Sequence, residues 1–297
     1  MREKQILVVG LGLIGGSLAM ALQGFEDYTV VGAVRSQSTY EKAAAKGAAQ
    51  RITFDPAAEL PESDVVILCQ DPQGICDFLR DNRARFRPGS LVLDVCGVKG
   101  AIMECASCLP PEVDFIGCHP MAGKEVSGIE HAEATLFRNT HCLVVPGPHS
   151  TQAHLALVER MAAHCRFGDV VRTTSQEHDA LIAYTSQLMH VIALAVCDSP
   201  LLEGCVGFEG GSFRDCTRVA ALDVGLWTQL FTLNAPALTQ VVEELEERLR
   251  AYRLAMQRGD RAALEGMLAS AAGRKRMLNL ERARGDDVRS QFSGEMI

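Results

Sequence analysis

A glycine-rich turn near the start of the chain constrains the fold more than any other feature. It joins a short apolar run, QILVV at residues 5–9, to an apolar stretch with helical character. Strand, glycine turn and helix in this order are typical of a dinucleotide-binding unit, in which the backbone approaches a pyrophosphate at the helix N terminus. The predicted cofactor contacts in this turn are Gly10, Gly12, Leu13, Ile14 and Gly15.

The end of the next apolar run indicates which dinucleotide is bound. Residues 29–34, TVVGAV, form the second predicted strand, and Arg35 and Ser36 follow it. NAD enzymes usually carry Asp or Glu at this point to hold the ribose 2′-hydroxyl. A cation beside a hydroxyl suits a 2′-phosphate, so the sequence favours NADP over NAD. The alternative, in which Arg35 stacks on the adenine of NAD, stays open.

Further apolar runs at 65–69, 91–95 and 115–118 repeat the pattern, and runs at 141–145 and 167–172 extend it. This alternation predicts an α/β fold with a Rossmann-type, doubly wound parallel sheet. Ligands bind outside the carboxyl ends of such strands. The loops at these ends contribute Asp71, Pro72, Gly97 and Lys99 as further predicted cofactor contacts, and they place His119 beside the nicotinamide.

After residue 173 the apolar spacing becomes helical, which predicts an all-α C-terminal domain. We therefore expect a dinucleotide-binding domain at 1–172, a helical substrate and dimerisation domain at 173–285, and a polar tail at 286–297. One helix is expected from Ser175 to about Cys197. Three polar side chains on it are predicted to share a face: Ser186, Gln187 and His190.

Two arginines at the start of a later helix form a candidate anion site. Arg214 and Arg218 are four residues apart, so they are predicted to project together as a carboxylate clamp. The alternative is an internal salt bridge to Asp179 or Asp215. Trp227, the only tryptophan, is by itself more typical of a core than of a ligand site.

Charge and cysteine content exclude some classes of protein. The net charge of −8 over 297 residues disfavours a nucleic-acid binder. The eleven cysteines are irregularly spaced, and the single C-x-x-C, Cys105 to Cys108, lacks the second pair that a metal site needs. We therefore expect reduced thiols, no bound metal and a cytoplasmic location. The apolar run at 6–22 imitates a signal peptide but carries the glycine turn, and no other run is expected to reach the ~18 residues of a membrane span.

Taken together, these motifs resemble the prephenate/arogenate dehydrogenase family of tyrosine biosynthesis. The resemblance extends over roughly residues 5 to 280 and is specific in combination. Its motifs here are GLGLIGGS at 10–17, Asp94-x4-Lys99, HPMAG at 119–123 with Glu125, Ser127 and Gly128, His178-Asp179, Ser186-x3-His190, GG-x-FRD-x-TR at 210–218, and Trp227.

The resemblance implies an NAD(P)-dependent oxidoreductase that oxidatively decarboxylates a cyclohexadienol, and it implies a homodimer formed through the helical domain. His119 would withdraw the proton of the ring hydroxyl, and Arg218 would bind a substrate carboxylate. The remaining residues that the resemblance or the arginine pair places at the substrate are His190, Gly211, Trp227, Arg214 and Glu125. Prephenate is the expected substrate, with arogenate as the alternative.

Two positions depart from the family pattern. Many members have a serine that supports the histidine where this chain has Gly97, and many have Ser-His-Leu-Pro-His where this chain has Ser-Gln-Leu-Met-His at 186–190. The first departure removes a supporting hydroxyl and keeps a non-catalytic dinucleotide sensor on the same fold as a second alternative. Other two-domain dehydrogenases, such as β-hydroxyacid dehydrogenases, share the glycine turn but not the later motifs.

Overall fold

The computed structural model describes residues 3–293, and side chains as far as Glu281. Eight strands form one sheet in the order β3-β2-β1-β4-β5-β6-β7-β8. The strands are β1 (Lys4–Val9), β2 (Tyr28–Ala33), β3 (Arg51–Thr53), β4 (Val65–Leu68), β5 (Leu91–Asp94), β6 (Asp114–Pro120), β7 (His141–Pro146) and β8 (Asp169–Arg172). The sheet confirms the predicted α/β class.

Twelve α-helices connect or follow these strands in the part of the chain that the structure describes. They are α1 (Leu13–Ala21), α2 (Gln37–Ala45), α3 (Pro56–Glu59), α4 (Pro72–Asn82), α5 (Gly100–Ala106), α6 (Gln152–His164), α7 (Ser175–Ile182), α8 (Leu188–Cys197), α9 (Gly211–Thr217), α10 (Val224–Leu233), α11 (Ala235–Arg258) and α12 (Arg261–Ser293). A π-helical turn, Ala183–Gln187, joins α7 to α8.

The sheet differs from the prediction in one strand direction. Strand β7 runs antiparallel to β6, whereas every other neighbouring pair is parallel. Apolar side chains cover both faces, because alternate residues of β1 enter two separate cores: Ile6 and Val8 on one face, Leu7 and Val9 on the other. The strand order reverses beside β1, and the first ligand cleft opens there.

The chain divides into two compact units, one ending at Leu238 and one beginning at Thr239. The second unit contains most of α11 and all of α12. Helix α12 continues through Gly285 to Ser293, so the segment predicted as a polar tail is helical that far. Residues 294–297 lie outside the described residues. The domain boundaries at 172 and 285 stay predictions.

One helix contradicts the expectation about membrane spans. Ser175–Cys197, which comprises α7, the π turn and α8, is long and apolar enough to cross a membrane by length and composition. It nevertheless carries buried polar side chains, His178 and Gln187, which bond to other parts of the chain. Only 28% of its 18-residue apolar window is buried inside the chain, and a single helix of this kind is weak evidence for a membrane span. The cytoplasmic location stays a prediction.

The expectation that all cysteines are reduced is wrong for one pair. Cys76 on α4 and Cys105 on α5 form a disulfide with their Cα atoms 5.3 Å apart. Cys108, the other half of the C-x-x-C, is free. No spacing in the sequence indicates this pairing, because it depends on the packing of α4 against α5, which follow neighbouring strands.

Candidate active site

A cleft of about 670 Å³ opens at the carboxyl ends of β1 and β2. The predicted cofactor residues that line it are Gly10, Gly12, Arg35, Ser36 and Asp71. Ser36 also caps α2 by accepting a hydrogen bond from the Thr39 N–H, and Asp71 caps α4 in the same way through Gly74. The two caps fix the loops after β2 and β4 at the edge of the cleft.

The glycine turn fits a dinucleotide. Gly10 has a φ of +98°, which an L side chain rarely adopts, and a Cβ on Gly15 would lie 2.0 Å from the Gly10 carbonyl oxygen. A Cβ on Gly12 would meet nothing within 4 Å, so the free space of the cleft begins there. Leu13 and Ile14 form the first turn of α1, where unpaired backbone N–H groups favour a phosphate.

The wall of the cleft beside Gly10 contains a buried polar atom that lacks a partner in the described residues. The Oε1 atom of Gln70 is buried and has no hydrogen-bond partner in the part of the chain that the structure describes. Gln70 lines the cleft beside Asp71. A buried acceptor of this kind suits a ligand donor. Pro72, by contrast, is the buried first residue of α4 and is not among the lining residues.

A second cleft, of about 710 Å³, meets the first at Ser127, which lines both. Its other lining residues come from the end of β6 and the loop after it, from the π turn and α8, and from the 218–227 segment. They include His119, Glu125, Ser186, His190, Arg218 and Trp227. The structure thus brings together six side chains that span more than a hundred residues of sequence, and it does so next to the dinucleotide cleft.

His119, at the end of β6, contacts another histidine that does not line the cleft. Its Nδ1 lies 2.9 Å from Nε2 of His178, and Nδ1 of His178 lies 2.8 Å from Oδ1 of Asp179. His178 is only 1% exposed, whereas His119 is partly exposed and lines the second cleft. Since Nδ1 is engaged, the Nε2 atom of His119 is the ring nitrogen left for a ligand.

The surroundings of His119 keep its imidazole neutral. Burial, then the positive charge of Lys99 and the proximity of His178, lower the pKa of His119 well below its usual range. A neutral imidazole near neutral pH can accept a proton.

The structure contradicts the prediction for Lys99, whereas the cofactor contact predicted for Gly97 stays a prediction. Lys99 is fully buried, and its Nζ donates to Oδ2 of Asp94 and to the Cys96 carbonyl, each at 2.6 Å. Its ammonium therefore cannot reach a cofactor, because it is an internal ion-pair partner. Gly97 is not among the lining residues of the dinucleotide cleft; a Cβ there would face Cε1 of His119 at 3.9 Å.

The polar face predicted for Ser186, Gln187 and His190 is only partly correct. Ser186 and His190 line the second cleft, and Nδ1 of His190 lies 3.1 Å from the Ser186 carbonyl oxygen. Gln187 points elsewhere: it is buried and its Oε1 accepts a hydrogen bond from Asn234. Adjacent helical residues lie 100° apart, so Gln187 falls on the core side.

His190 and Trp227 form one wall of the second cleft. Their ring centroids are 3.6 Å apart with planes inclined by 30°. Burial lowers the pKa of His190, although its hydrogen bond to Ser186 acts in the opposite direction. Trp227 therefore lines the cleft and also packs against the second core, and its ring contacts that of Phe231.

The predicted arginine clamp does not form. Helix α9 ends at Thr217 and the chain tightens into a 3₁₀ turn at Arg218, and the two arginines have different partners. Arg218 lines the cleft and forms a salt bridge with Glu125, rather than with either aspartate considered from the sequence. Arg214 donates to the Glu209 carbonyl and, like Gly211, is not among the lining residues.

Two residues of the second cleft were not predicted from the sequence, and a third residue was recognised without a role. Asp223 and Lys124 line the second cleft, but the structure uses both elsewhere: Asp223 caps α10, and Lys124 pairs with Glu133. His178 was recognised as part of the His178-Asp179 motif at a helix start, but no role was assigned to it. The adjacent His178 and Asp179 can be seen in the sequence, but their contact with His119, 59 residues earlier, cannot.

The comparisons with known proteins agree with this geometry. A family model described as "Prephenate dehydrogenase, nucleotide-binding domain" matches residues 18–168, and one described as "Prephenate dehydrogenase, dimerization domain" matches residues 174–270. The chain belongs to the prephenate dehydrogenase family. It is therefore an NAD-dependent oxidoreductase by family.

Curated relatives cover most of the chain. A cyclohexadienyl dehydrogenase from Zymomonas mobilis is 28% identical, covering 86% of this chain and 90% of the relative. A prephenate dehydrogenase from Lactococcus lactis is 29% identical, covering 88% of this chain and 74% of the relative.

Solved structures share the fold. A Synechocystis arogenate dehydrogenase is 28% identical with a TM-score of 0.78, covering 92% of this chain and 99% of that one. A prephenate dehydrogenase from Aquifex aeolicus, solved with hydroxyphenyl propionate and NAD+, is 24% identical with a TM-score of 0.82, covering 93% and 98% of the two chains. The likeness to the second protein supports the fold alone.

Proposed function

We propose that this protein catalyses the oxidative decarboxylation of prephenate to 4-hydroxyphenylpyruvate and carbon dioxide, with NADP as the preferred hydride acceptor. The observation that carries the proposal is the second cleft, in which the neutral His119 and the cationic Arg218 share one space that meets the dinucleotide cleft at Ser127. A base, an anion site and a cofactor groove in contact are what this reaction requires.

In this proposal each residue has one task. The bound nicotinamide supplies the hydride acceptor. Arg218 binds a substrate carboxylate, which competes with Glu125 for the guanidinium. His119 takes the ring hydroxyl proton at Nε2 as the carbinol hydrogen leaves with its electron pair. The ring carboxylate then leaves as carbon dioxide, its bonding electrons aromatise the ring, and His119 returns the proton to the phenolate oxygen.

The preference for prephenate over arogenate is supported by the charges in the cleft. The two substrates differ by a keto group against an ammonium on the side chain. Glu125 and Asp223 are the carboxylates that line the cleft in the described residues, and both are engaged, one by Arg218 and the other by the backbone of α10. In this arrangement the cleft offers an ammonium no unpaired carboxylate, but a substrate carboxylate bound by Arg218 would release Glu125, so arogenate is kept as the alternative that the assay tests.

The preference for NADP is supported by the end of β2. Arg35, Ser36, Thr39 and Lys42 line the dinucleotide cleft where a ribose would lie, and no carboxylate follows the strand directly. Glu130 lines the same region but pairs with Lys42 at 3.0 Å. A 2′-phosphate would gain charge-assisted hydrogen bonds there.

We also propose a homodimer formed through the predicted helical domain, residues 173–285, hereafter the helical segment. Large apolar side chains are strongly exposed there, with Leu201 and Val206 each 81% and Phe208 88% exposed. Large apolar side chains that are exposed to this extent are candidates for an interface with a second chain. The description of the matched family model as a dimerisation domain points the same way.

The test is an absorbance assay of nicotinamide reduction that crosses prephenate and arogenate with NADP and NAD. We expect turnover with prephenate and a higher kcat/KM with NADP. Arogenate as the only substrate would overturn the substrate proposal and assign Glu125 to an ammonium. A higher kcat/KM with NAD would overturn the cofactor preference. No reduction in any combination would overturn the enzymatic proposal and favour the dinucleotide sensor.

A further inference from the structure

We propose that His178 and Asp179 are positioning residues that hold the imidazole of His119 in one tautomer, with the proton on Nδ1 and a free lone pair on Nε2. This inference rests on the proposed function for its catalytic consequence, but the tautomer itself can be measured without substrate. Neither residue touches the ligand space: both are absent from the lining of the two clefts.

The direction of the hydrogen bonds between His119, His178 and Asp179 follows from the aspartate, the last of the three residues. Asp179, when ionised, only accepts, so Nδ1 of His178 must carry the proton in their 2.8 Å contact. When His178 carries only this one proton, its Nε2 presents a lone pair; a second proton on Nε2 would reverse the next contact, and the tautomer measurement below distinguishes the two forms. Because Nε2 of His178 accepts, Nδ1 of His119 must donate across 2.9 Å. The remaining nitrogen of His119 is left as the base.

Asp179 is fixed in its ionised form by the start of α5. Oδ1 accepts the Lys99 N–H at 2.8 Å, and Oδ2 accepts the Gly100 N–H at 2.7 Å. Burial opposes ionisation, but the hydrogen bonds from His178, Gly100 and Lys99 outweigh it and hold the pKa of Asp179 below its usual value. Asp179 therefore accepts the hydrogen bond from Nδ1 of His178 and does not donate one.

The arrangement also accounts for Gly97. A glycine brings no side chain to His119, and a Cβ there would be no nearer to the ring than 3.9 Å. His178 lies on α7 and contacts His119. It thus supplies the hydrogen-bond partner that Gly97, in the loop after β5, cannot supply. No net proton moves along the contacts. His119 gains and returns the hydroxyl proton at Nε2, while His178 and Asp179 keep their own charges and orient the imidazolium.

Two substitutions at position 178 separate the contacts. In His178→Asn the amide overlaps the Nδ1 position, so it can reach Asp179 but not His119. In His178→Gln the amide overlaps the Nε2 position, so its oxygen can accept from Nδ1 of His119. We expect H178N to lose kcat by about 10²-fold to 10⁴-fold with KM values unchanged, and H178Q to stay within about tenfold of the wild type. Equal losses in both variants, or a loss confined to KM, would contradict the proposal.

The tautomer is measured by ¹⁵N NMR of histidine-labelled protein at about pH 8, where free imidazole is neutral. The signals of His119 are those missing from His119→Asn. We expect the Nδ1–H form in the wild type and H178Q, and a shift to the Nε2–H form in H178N. A wild-type His119 in the Nε2–H form would overturn the inference even if H178N fails to fold.

These measurements also separate the two proposals. A wild type that reduces no nicotinamide but shows the Nδ1–H form would overturn the proposed function and leave the tautomer assignment standing. An active wild type with the Nε2–H form would do the reverse. Thermal unfolding and cofactor titration of each variant identify any loss of kcat that comes from damage to the fold.

Discussion

At the scale of single residues, His119 is surrounded by groups that all act on its charge in one direction. Burial, Lys99 and His178 each favour the neutral ring. The positive charge of the buried Lys99 thus lowers the pKa of His119, although its ammonium is paired with Asp94. His119→Asn should lower kcat by about 10²-fold to 10⁴-fold while cofactor binding persists. Steady-state kinetics and cofactor titration check this, and retained turnover would contradict the role of His119 as the base.

The same surroundings predict the pH dependence of the reaction. Protonation of His119 removes the base, so kcat/KM should be constant at neutral pH and fall as pH drops through the folded-state pKa. Because that pKa lies well below 6.5, the lower limb of the profile should have its midpoint below 6.5. A midpoint at or above 6.5 in the profile of kcat/KM against pH would contradict this assignment.

The two arginines offer a matched pair for the anion site. Arg218→Gln should raise KM for the substrate by about 10-fold to 100-fold, the loss expected for a charge-assisted hydrogen bond. Arg214→Gln removes the same charge four residues earlier and outside the cleft, so its KM should match the wild type. Equal increases in KM in both variants would indicate that the net positive charge of the region, rather than a direct contact between Arg218 and a carboxylate, attracts the substrate.

At the scale of elements, the turn between β1 and α1 contains two glycines with different requirements. Gly15→Ala would force a Cβ against the Gly10 carbonyl oxygen, so we expect a lower thermal midpoint as well as weaker cofactor binding. Gly12→Ala meets no protein atom within 4 Å, so it should keep the wild-type midpoint and lose only cofactor affinity. Thermal unfolding and cofactor titration decide this; a destabilised G12A would contradict the assignment of its free space to the ligand.

The disulfide between α4 and α5 makes a separate prediction at this scale. Unfolded without reductant, the protein should present nine reactive thiols of its eleven cysteines, and all eleven after reduction. Cys76→Ser should lower the free energy of unfolding by about 2–4 kcal/mol, whereas Cys216→Ser, at an exposed free thiol, should change it little. Eleven thiols before reduction would contradict the pairing.

At the scale of the whole molecule, the exposed apolar residues of the helical segment predict association. Light scattering coupled to gel filtration should give twice the chain mass of 32.1 kDa. Phe208→Asp places a charge on this surface and should shift the protein towards the monomer, because a buried unpaired charge is costly. Val171→Lys, on edge strand β8, is the control and should stay dimeric. A wild-type monomer would contradict the proposed interface.

Local patterns determined a large part of this fold. The glycine turn, the apolar strand runs and the change to helical spacing each depend on neighbours a few residues apart, and the structure contains the corresponding elements. The same local spacing placed His119 at a strand end and predicted that a helix opens within 210–218, where α9 lies. These positions follow from backbone periodicity alone, which a sequence carries directly.

Only the tertiary structure decided the partners of the side chains. His119 meets His178 across 59 residues, and the Lys99 N–H meets Asp179 across 80. Local spacing could not distinguish Gln187, which enters the core, from its neighbours in the cleft, nor pair Cys76 with Cys105. Which charge is buried, which imidazole nitrogen stays free and which cysteines bond depend on distant elements that come together when the chain packs, and no local pattern records that contact.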